Sequence, residues 1–308
     1  MVTYADLPGS MISIRDNGTI EEPEPAASSC LKRMNHAVYQ IFYSPETRAM
    51  LDPGFTPLDN TGHRPDWYEY GPIRRFLLSH PLAPDTRYGF LSPKFGEKAG
   101  LTAVQVNAFL DSTPDDVDVV TFSPYFSNAA FFKNVFEQAE FWHPGIMHTI
   151  GDAIALVAPD MTANALTHGL LMSSAQTVYC NYFVAKPRFW RRWFELCEVI
   201  FRCAESGRGE LAQRLNATTQ YVPPTPAKIF VIERIVSLLL TLEPSNWKVR
   251  NYNPMKLLAD NSLLNGKFRD EMVTLDALKQ AAMHTGFQDY LVKYIDMRGQ
   301  FIERVNEA

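Results

Sequence analysis

The sequence predicts an α/β protein: a mixed, mostly parallel, Rossmann-like sheet flanked by helices, followed by a C-terminal helical region. Three observations predict it. Short apolar runs alternate with amphipathic helical stretches, the pattern of a sheet covered on both faces. Three of those runs stop at Ser-Pro, at Ser44-Pro45, Ser92-Pro93 and Ser123-Pro124. The composition is 46% hydrophobic and 20% charged over 308 residues, enough for one large domain or two modest ones.

The elements follow in order. Residues 1–35 read as an N-terminal extension or linker, with a turn signal at Asp16-Asn17-Gly18 and an acidic, Pro-bearing segment over 21–29. The main domain spans 36–250. Residues 37–43 (AVYQIFY) read as a buried strand, followed by a long polar stretch over 46–69. A loop of that length is usually functional or mobile. Helices are predicted over 70–80, over 102–110 with Thr102 as N-cap, over 128–142 and over 151–157. Strands are predicted over 88–91, 117–122 and 178–184, then helices over 187–204 and 229–242. Residues 251–308 read as a helical segment packed on the same domain, with one or two amphipathic helices over 275–306.

Composition also excludes classes. The net charge of −5 and the pI of about 5.8 leave no basic face for a general nucleic-acid binder. The apolar stretch 229–240 is short and carries Glu233 and Arg234, so it cannot span a membrane. No C-x-x-C pair exists among Cys30, Cys180, Cys197 and Cys203, and no signal peptide is evident. The expectation is a cytoplasmic protein with reduced cysteines.

In parallel sheets, ligands bind beyond the carboxyl ends of the strands. Proline cannot continue a central strand, so each Ser-Pro turns the chain out at that edge. Six constellations carry candidate chemistry. Asp59, Asn60, Arg64, Asp66, Trp67, Tyr70 and Arg74 lie close in sequence and could hold a nucleotide; the other reading is a loop pinned by Arg–Asp pairs and a buried Trp. Lys94, just past a strand end, is placed for a pyrophosphate, or is a solvated turn; the spacing is not that of a P-loop. Glu137, Glu140 and His143 share one helix face. None of the other six histidines has Glu three residues before it, which argues against a di-metal site and leaves Glu140 as general base and His143 as acid or phosphate contact. The alternative is a His capping a helix C-terminus. Asp116-Val117-Asp118 has the form of a metal-binding D-x-D, yet it opens its strand and so faces the wrong edge. Asn181 sits among aromatics and needs a hydrogen-bond partner. Glu233-Arg234 lies within an apolar helix, either as a structural pair or as a carboxylate reaching the acceptor.

Several segments resemble bacterial GT-A-type glycosyltransferases of polysaccharide biosynthesis: 39–44 (YQIFYS), 88–100 (YGFLSPKFGEKAG), 118–124, 134–140 with His143-Pro144-Gly145, 181–185 and 230–238. The resemblance covers roughly 36–245, is nearest to O-antigen and capsule enzymes, and includes galactofuranosyl-transferring ones. It implies a nucleotide-sugar donor, usually a UDP sugar, and a glycan acceptor on a lipid carrier, at the inner face of a membrane or in a polymerase complex. Such enzymes often use Mn²⁺ or Mg²⁺; the misplaced D-x-D favours a metal-independent mechanism here. The site expected on these grounds has Glu140, His143 and Glu233 in catalysis. Tyr43, Asp59, Asn60, Arg64, Asp66, Arg74, Ser92, Lys94, Ser123, Asn181 and Arg234 bind substrate. Two rivals remain: an α/β phosphoester hydrolase, although no G-x-S-x-G elbow is present, and a non-catalytic glycan-binding module of a polymerase.

Overall fold

A computed structural model describes residues 34–257 and 266–306, all within the unit Met34–Ala308. The turn signal at Asp16-Asn17-Gly18, the segment 21–29 and Cys30 lie outside the described residues. The strands are β1 (Asn35–Phe42), β2 (Thr56–Asp59), β3 (Thr86–Leu91), β4 (Val119–Thr121), β5 (Phe183–Ala185) and β6 (Val249–Asn251). The α-helices are α1 (Pro45–Ala49), α2 (Tyr70–Ser79), α3 (Phe95–Ala99), α4 (Ala103–Asp111), α5 (Phe126–Phe131), α6 (Val135–Trp142), α7 (Ile146–Ala155), α8 (Pro187–Ser206), α9 (Gly209–Asn216), α10 (Ala227–Leu242), α11 (Arg269–Thr285) and α12 (Gln288–Asn306).

The strands form one six-stranded mixed sheet in the order β2-β1-β3-β5-β4-β6. Only β5 runs against its neighbours, pairing antiparallel with β3 and β4. The α/β class with a mostly parallel sheet is therefore the observed one. One face buries Ile41, Phe90 and Phe183 under α2, α8 and α10. The other buries Val38, Val120 and Val184 under α3 and α4. Helix α10 is apolar around nearly its whole circumference and is buried accordingly.

Several boundaries differ from expectation, each for a local reason. The polar stretch 46–69 holds a strand, β2, whose Pro57 is tolerated because β2 is an edge. The helix expected over 128–142 is two helices. Asn134 breaks it as an N-cap: its Oδ1 accepts from the amides of Phe136 and Glu137, both at 2.9 Å. Its Nδ2 donates to the carbonyls of Leu166 (2.8 Å) and Leu170 (2.7 Å). The run 178–184 contributes only β5, because Cys180 and Asn181 adopt left-handed φ values of 60° and 53°. Thr102 caps α4 in a reciprocal box with Gln105.

Helices α11 and α12 pack on α5 through Phe126, Met272, Leu275, Tyr294 and Phe301. The buried Lys279 side chain donates to the carbonyls of Phe132 (2.8 Å) and Ala129, left open at the end of α5, and to that of Met172 (2.7 Å) on the segment before β5. No described helix is long and apolar enough to cross a membrane.

Candidate active site

Because β1, β3 and β4 are parallel, all three Ser-Pro pairs fall on one edge of the sheet. The antiparallel β5 enters from that same edge. Thr121 pairs with Phe183, so Ser123 and Asn181 come side by side beyond it. The serines pin this edge. Ser44 caps α1, Ser92 Oγ lies 2.6 Å from Tyr182 Oη, and Ser123 Oγ accepts from the Tyr179 amide at 3.1 Å. Ser92 and Ser123 are buried and engaged with protein rather than open to a ligand.

The edge concentrates backbone strain. Tyr68, Tyr125, Cys180 and Asn181 have φ of 42°, 64°, 60° and 53°. Bulky residues at positive φ cost free energy and gather at functional sites. Around them lie Tyr43, Glu69, Lys98 and Glu233. The Lys98 ammonium donates to Cys180 Sγ at 3.4 Å. Burial works against the charge on Lys98, yet Cys180, Tyr125 and Glu233 around it hold its pKa above the ordinary lysine value. Burial pushes the Cys180 thiol up to about 12 and raises Tyr125 as well, so Glu233 is the one of the three that ionises first. Burial also raises Glu233, reinforced by Glu69 and opposed by Arg234 and Lys98. No side chain among the described residues hydrogen-bonds the Glu233 carboxylate. Tyr43 is held far above its usual pKa by burial and then by Glu69. Asn181 is 6% exposed, and its Oδ1 has no hydrogen-bond partner among the described residues. A buried amide oxygen without a partner is costly and awaits a donor.

Other expected site residues are engaged with protein groups, and the loop over 59–74 fits the second reading given for it. Arg64 forms paired bonds to Asp66 (2.9 and 2.9 Å) and Glu205 (2.7 and 2.6 Å). Asp66 also accepts from Lys228 at 2.7 Å, and the Arg64 bonds, then Lys228, hold its carboxyl far below the usual range despite partial burial. Trp67 is fully buried and donates to Glu205 at 2.9 Å. Arg74 pairs with Glu198 at 2.6 Å, and Tyr70 donates to the same carboxylate at 2.8 Å. Asp59 accepts from the Thr61 amide (2.7 Å), and Asn60 links the His63 carbonyl to Arg75. This loop is a pinned structure of ion pairs around a buried Trp. Arg234 spends its donors on the carbonyls of Val135 (3.0 Å) and Phe230 (2.7 Å) and on Gln138 (3.0 Å), clamping α10 to α6. Lys94 is exposed, and Lys98, one turn on, is the lysine that faces the edge.

Glu140 accepts from the amides of Gly145 (2.7 Å) and Met147 (2.9 Å), capping the N-terminus of α7. That task explains a carboxylate here without catalysis. Glu140→Gln is expected to lower stability by about 1 kcal/mol and to leave nucleotide binding unchanged; a urea titration and a binding isotherm read the two effects. His143 is buried against Phe230 (4.2 Å between ring centroids), and its pKa is lowered by burial and then by Arg234.

Asp118 opens β4 at the opposite edge. It accepts two hydrogen bonds from Arg188, one of them at 2.8 Å from Nε, and another from the Lys248 amide at 3.0 Å; Asp116 pairs with Lys248. Among the described residues, no three His, Cys, Asp or Glu side chains come together in a way that could hold a metal ion.

Sequence reasoning missed Lys98, Glu69, Cys180 and Tyr125. One signal was available. Phe95 and Ala99 share a buried face of α3, and Lys98 stands beside that face while Lys94 precedes the helix.

No family model matches the sequence, and no curated protein is similar to it. Among solved structures, the chain is similar to the WbbM bifunctional glycosyltransferase in its apo form, with 15% identity and a TM-score of 0.43. The match covers 70% of this chain and 44% of that one, so the chain spans less than half of the length of the protein it matches.

Proposed function

We propose that this chain transfers a sugar from a nucleoside-diphosphate sugar to a glycan acceptor at the Ser-Pro edge. The carrying observation is a half-buried ammonium, Lys98, held on Cys180 at 3.4 Å within electrostatic reach of a carboxylate, Glu233, that no side chain among the described residues hydrogen-bonds. A direct, inverting sugar transfer uses both charges. The bond between the anomeric carbon and the diphosphate oxygen breaks, and the electron pair leaves with the diphosphate. Lys98 stabilises that growing negative charge in a partly desolvated setting, where it is worth most. A new bond forms from an acceptor hydroxyl to the anomeric carbon, and the hydroxyl proton goes to Glu233. Asn181 Oδ1 accepts from a sugar hydroxyl, and Tyr43 and Glu69 line the same space.

The resemblance of the strand-end segments to polysaccharide glycosyltransferases supports the donor class. A UDP sugar, a lipid-carried acceptor and work at the inner face of a membrane belong to that same resemblance. In this scheme Lys98 neutralises the diphosphate where a metal ion would otherwise do so, and no step is routed through a metal.

Thermal-shift titration with UDP, GDP, dTDP and CMP, each with and without Mn²⁺, tests the proposal. One nucleotide is expected to raise the melting temperature without Mn²⁺. Flat curves for all four would sink nucleotide-sugar transfer. A strict Mn²⁺ requirement would move the charge-neutralising role from Lys98 to the metal.

A further inference from the structure

Tyr221 sits on the connection between α9 and α10, and its side chain is 48% exposed although it touches buried rings. Its ring lies 5.6 Å from Phe230 and 5.8 Å from His143. The connection itself is held in place. Thr218 bridges Pro226, the Thr219 amide donates to the Thr225 carbonyl at 2.9 Å, and Thr225 Oγ1 lies 3.3 Å from Tyr68 Oη. Tyr221 also lies within electrostatic reach of Tyr125, as do Cys180, Lys98 and Glu233. A half-exposed ring is thus presented at the rim of the site from a braced loop. His143, 8% exposed, has an Nδ1 without a hydrogen-bond partner among the described residues beside that ring.

We infer that Tyr221, with Tyr125 and His143, forms a saccharide subsite that takes the acceptor sugar against the Tyr221 ring. The inference rests on the proposed transfer reaction and names the side of the site where its second substrate lies. The ring offers an apolar face for the C–H face of a pyranose or furanose ring, and His143 offers a polar atom for one of its hydroxyls. Position selects acceptor over donor. Phe230, which carries Tyr221, stands one helical turn before Glu233 on α10, so the sugar on this ring is the one whose hydroxyl meets the base. The phosphate-facing Lys98 approaches from α3, on the other sheet face.

Saturation-transfer NMR on the full chain tests this, with UDP bound and methyl glycosides of glucose, galactose and mannose as probes. Wild type and Tyr221→Phe are expected to transfer saturation to the C–H protons of at least one glycoside. Tyr221→Ala is expected to reduce that signal about tenfold, in line with loss of a ring-face contact, and to leave the UDP signal intact. A glycoside signal undiminished in Tyr221→Ala overturns the subsite. So does the absence of any glycoside signal while UDP binds, which leaves the donor reading standing. A loss of UDP signal in Tyr221→Ala would assign the ring to the donor base instead. Should neither UDP nor the other nucleotides bind, the transfer reaction falls and this subsite with it.

Discussion

Glu233→Gln is expected to lower kcat/KM for sugar transfer by about 10²–10⁴-fold, the range that a positioned general base covers. The amide keeps the size and shape of the carboxylate but cannot take the acceptor proton. Donor binding and the melting temperature are expected to stay near wild type, since no side chain hydrogen-bonds Glu233 among the described residues. A pH profile sharpens the test. Burial and Glu69 raise the Glu233 pKa, and Arg234 and Lys98 only partly oppose them. The base works when deprotonated, so activity should rise with pH through a value above the ordinary glutamate range, and that acid limb should vanish in Glu233→Gln. Retained activity, or an unchanged acid limb, would remove Glu233 from the chemistry.

Lys98→Met is expected to cost about 10²–10³-fold in kcat, the loss typical when one preorganised charge-stabilising group is removed. The substitution keeps an unbranched apolar side chain of similar length and deletes the ammonium. A second signature follows from the same electrostatics. Lys98 is one of the two positive groups that lower the Glu233 pKa. Its removal should therefore move the acid limb of the pH profile to still higher pH. A fall in kcat without movement of that limb would separate Lys98 from Glu233 and refute the electrostatic coupling on which the proposed chemistry stands. Circular dichroism and a melting curve are expected to show the fold retained, since the one side-chain hydrogen bond of Lys98 among the described residues is to a thiol.

The two residues differ in how far the sequence exposed them. Glu233 was visible as a charge inside an apolar helix, which always demands an explanation. Lys98 was hidden by Lys94, four residues earlier and nearer the strand end. Linear distance from Leu91 favours Lys94, but the turn of α3 points Lys98 inward and leaves Lys94 in solvent. Arg64, Arg74 and Arg234 show the opposite error. Their residue type suits phosphate; Asp66 beside Arg64 is a local partner, but Glu205, Glu198 and Gln138 lie 141, 124 and 96 residues away, where no local pattern reaches.

What the sequence by itself determined was the architecture and the edge. Alternating apolar runs and amphipathic helices require a sheet covered on both faces, and proline after three of those runs requires the chain to leave the sheet there. Both are local constraints of backbone and hydropathy, so they are legible in one dimension. They also put Asp116 and Asp118 at the opposite end, where the structure engages them with Lys248 and Arg188. What only the tertiary structure decided was which side chains remain free at that edge. A carboxylate or guanidinium is available for chemistry only when no other group has neutralised it, and the neutralising groups come from distant elements. The antiparallel entry of β5, the turn of α3 and the burial of α10 brought Lys98, Glu233, Cys180 and Asn181 together. The same packing tied Glu140 and the loop arginines into caps and ion pairs.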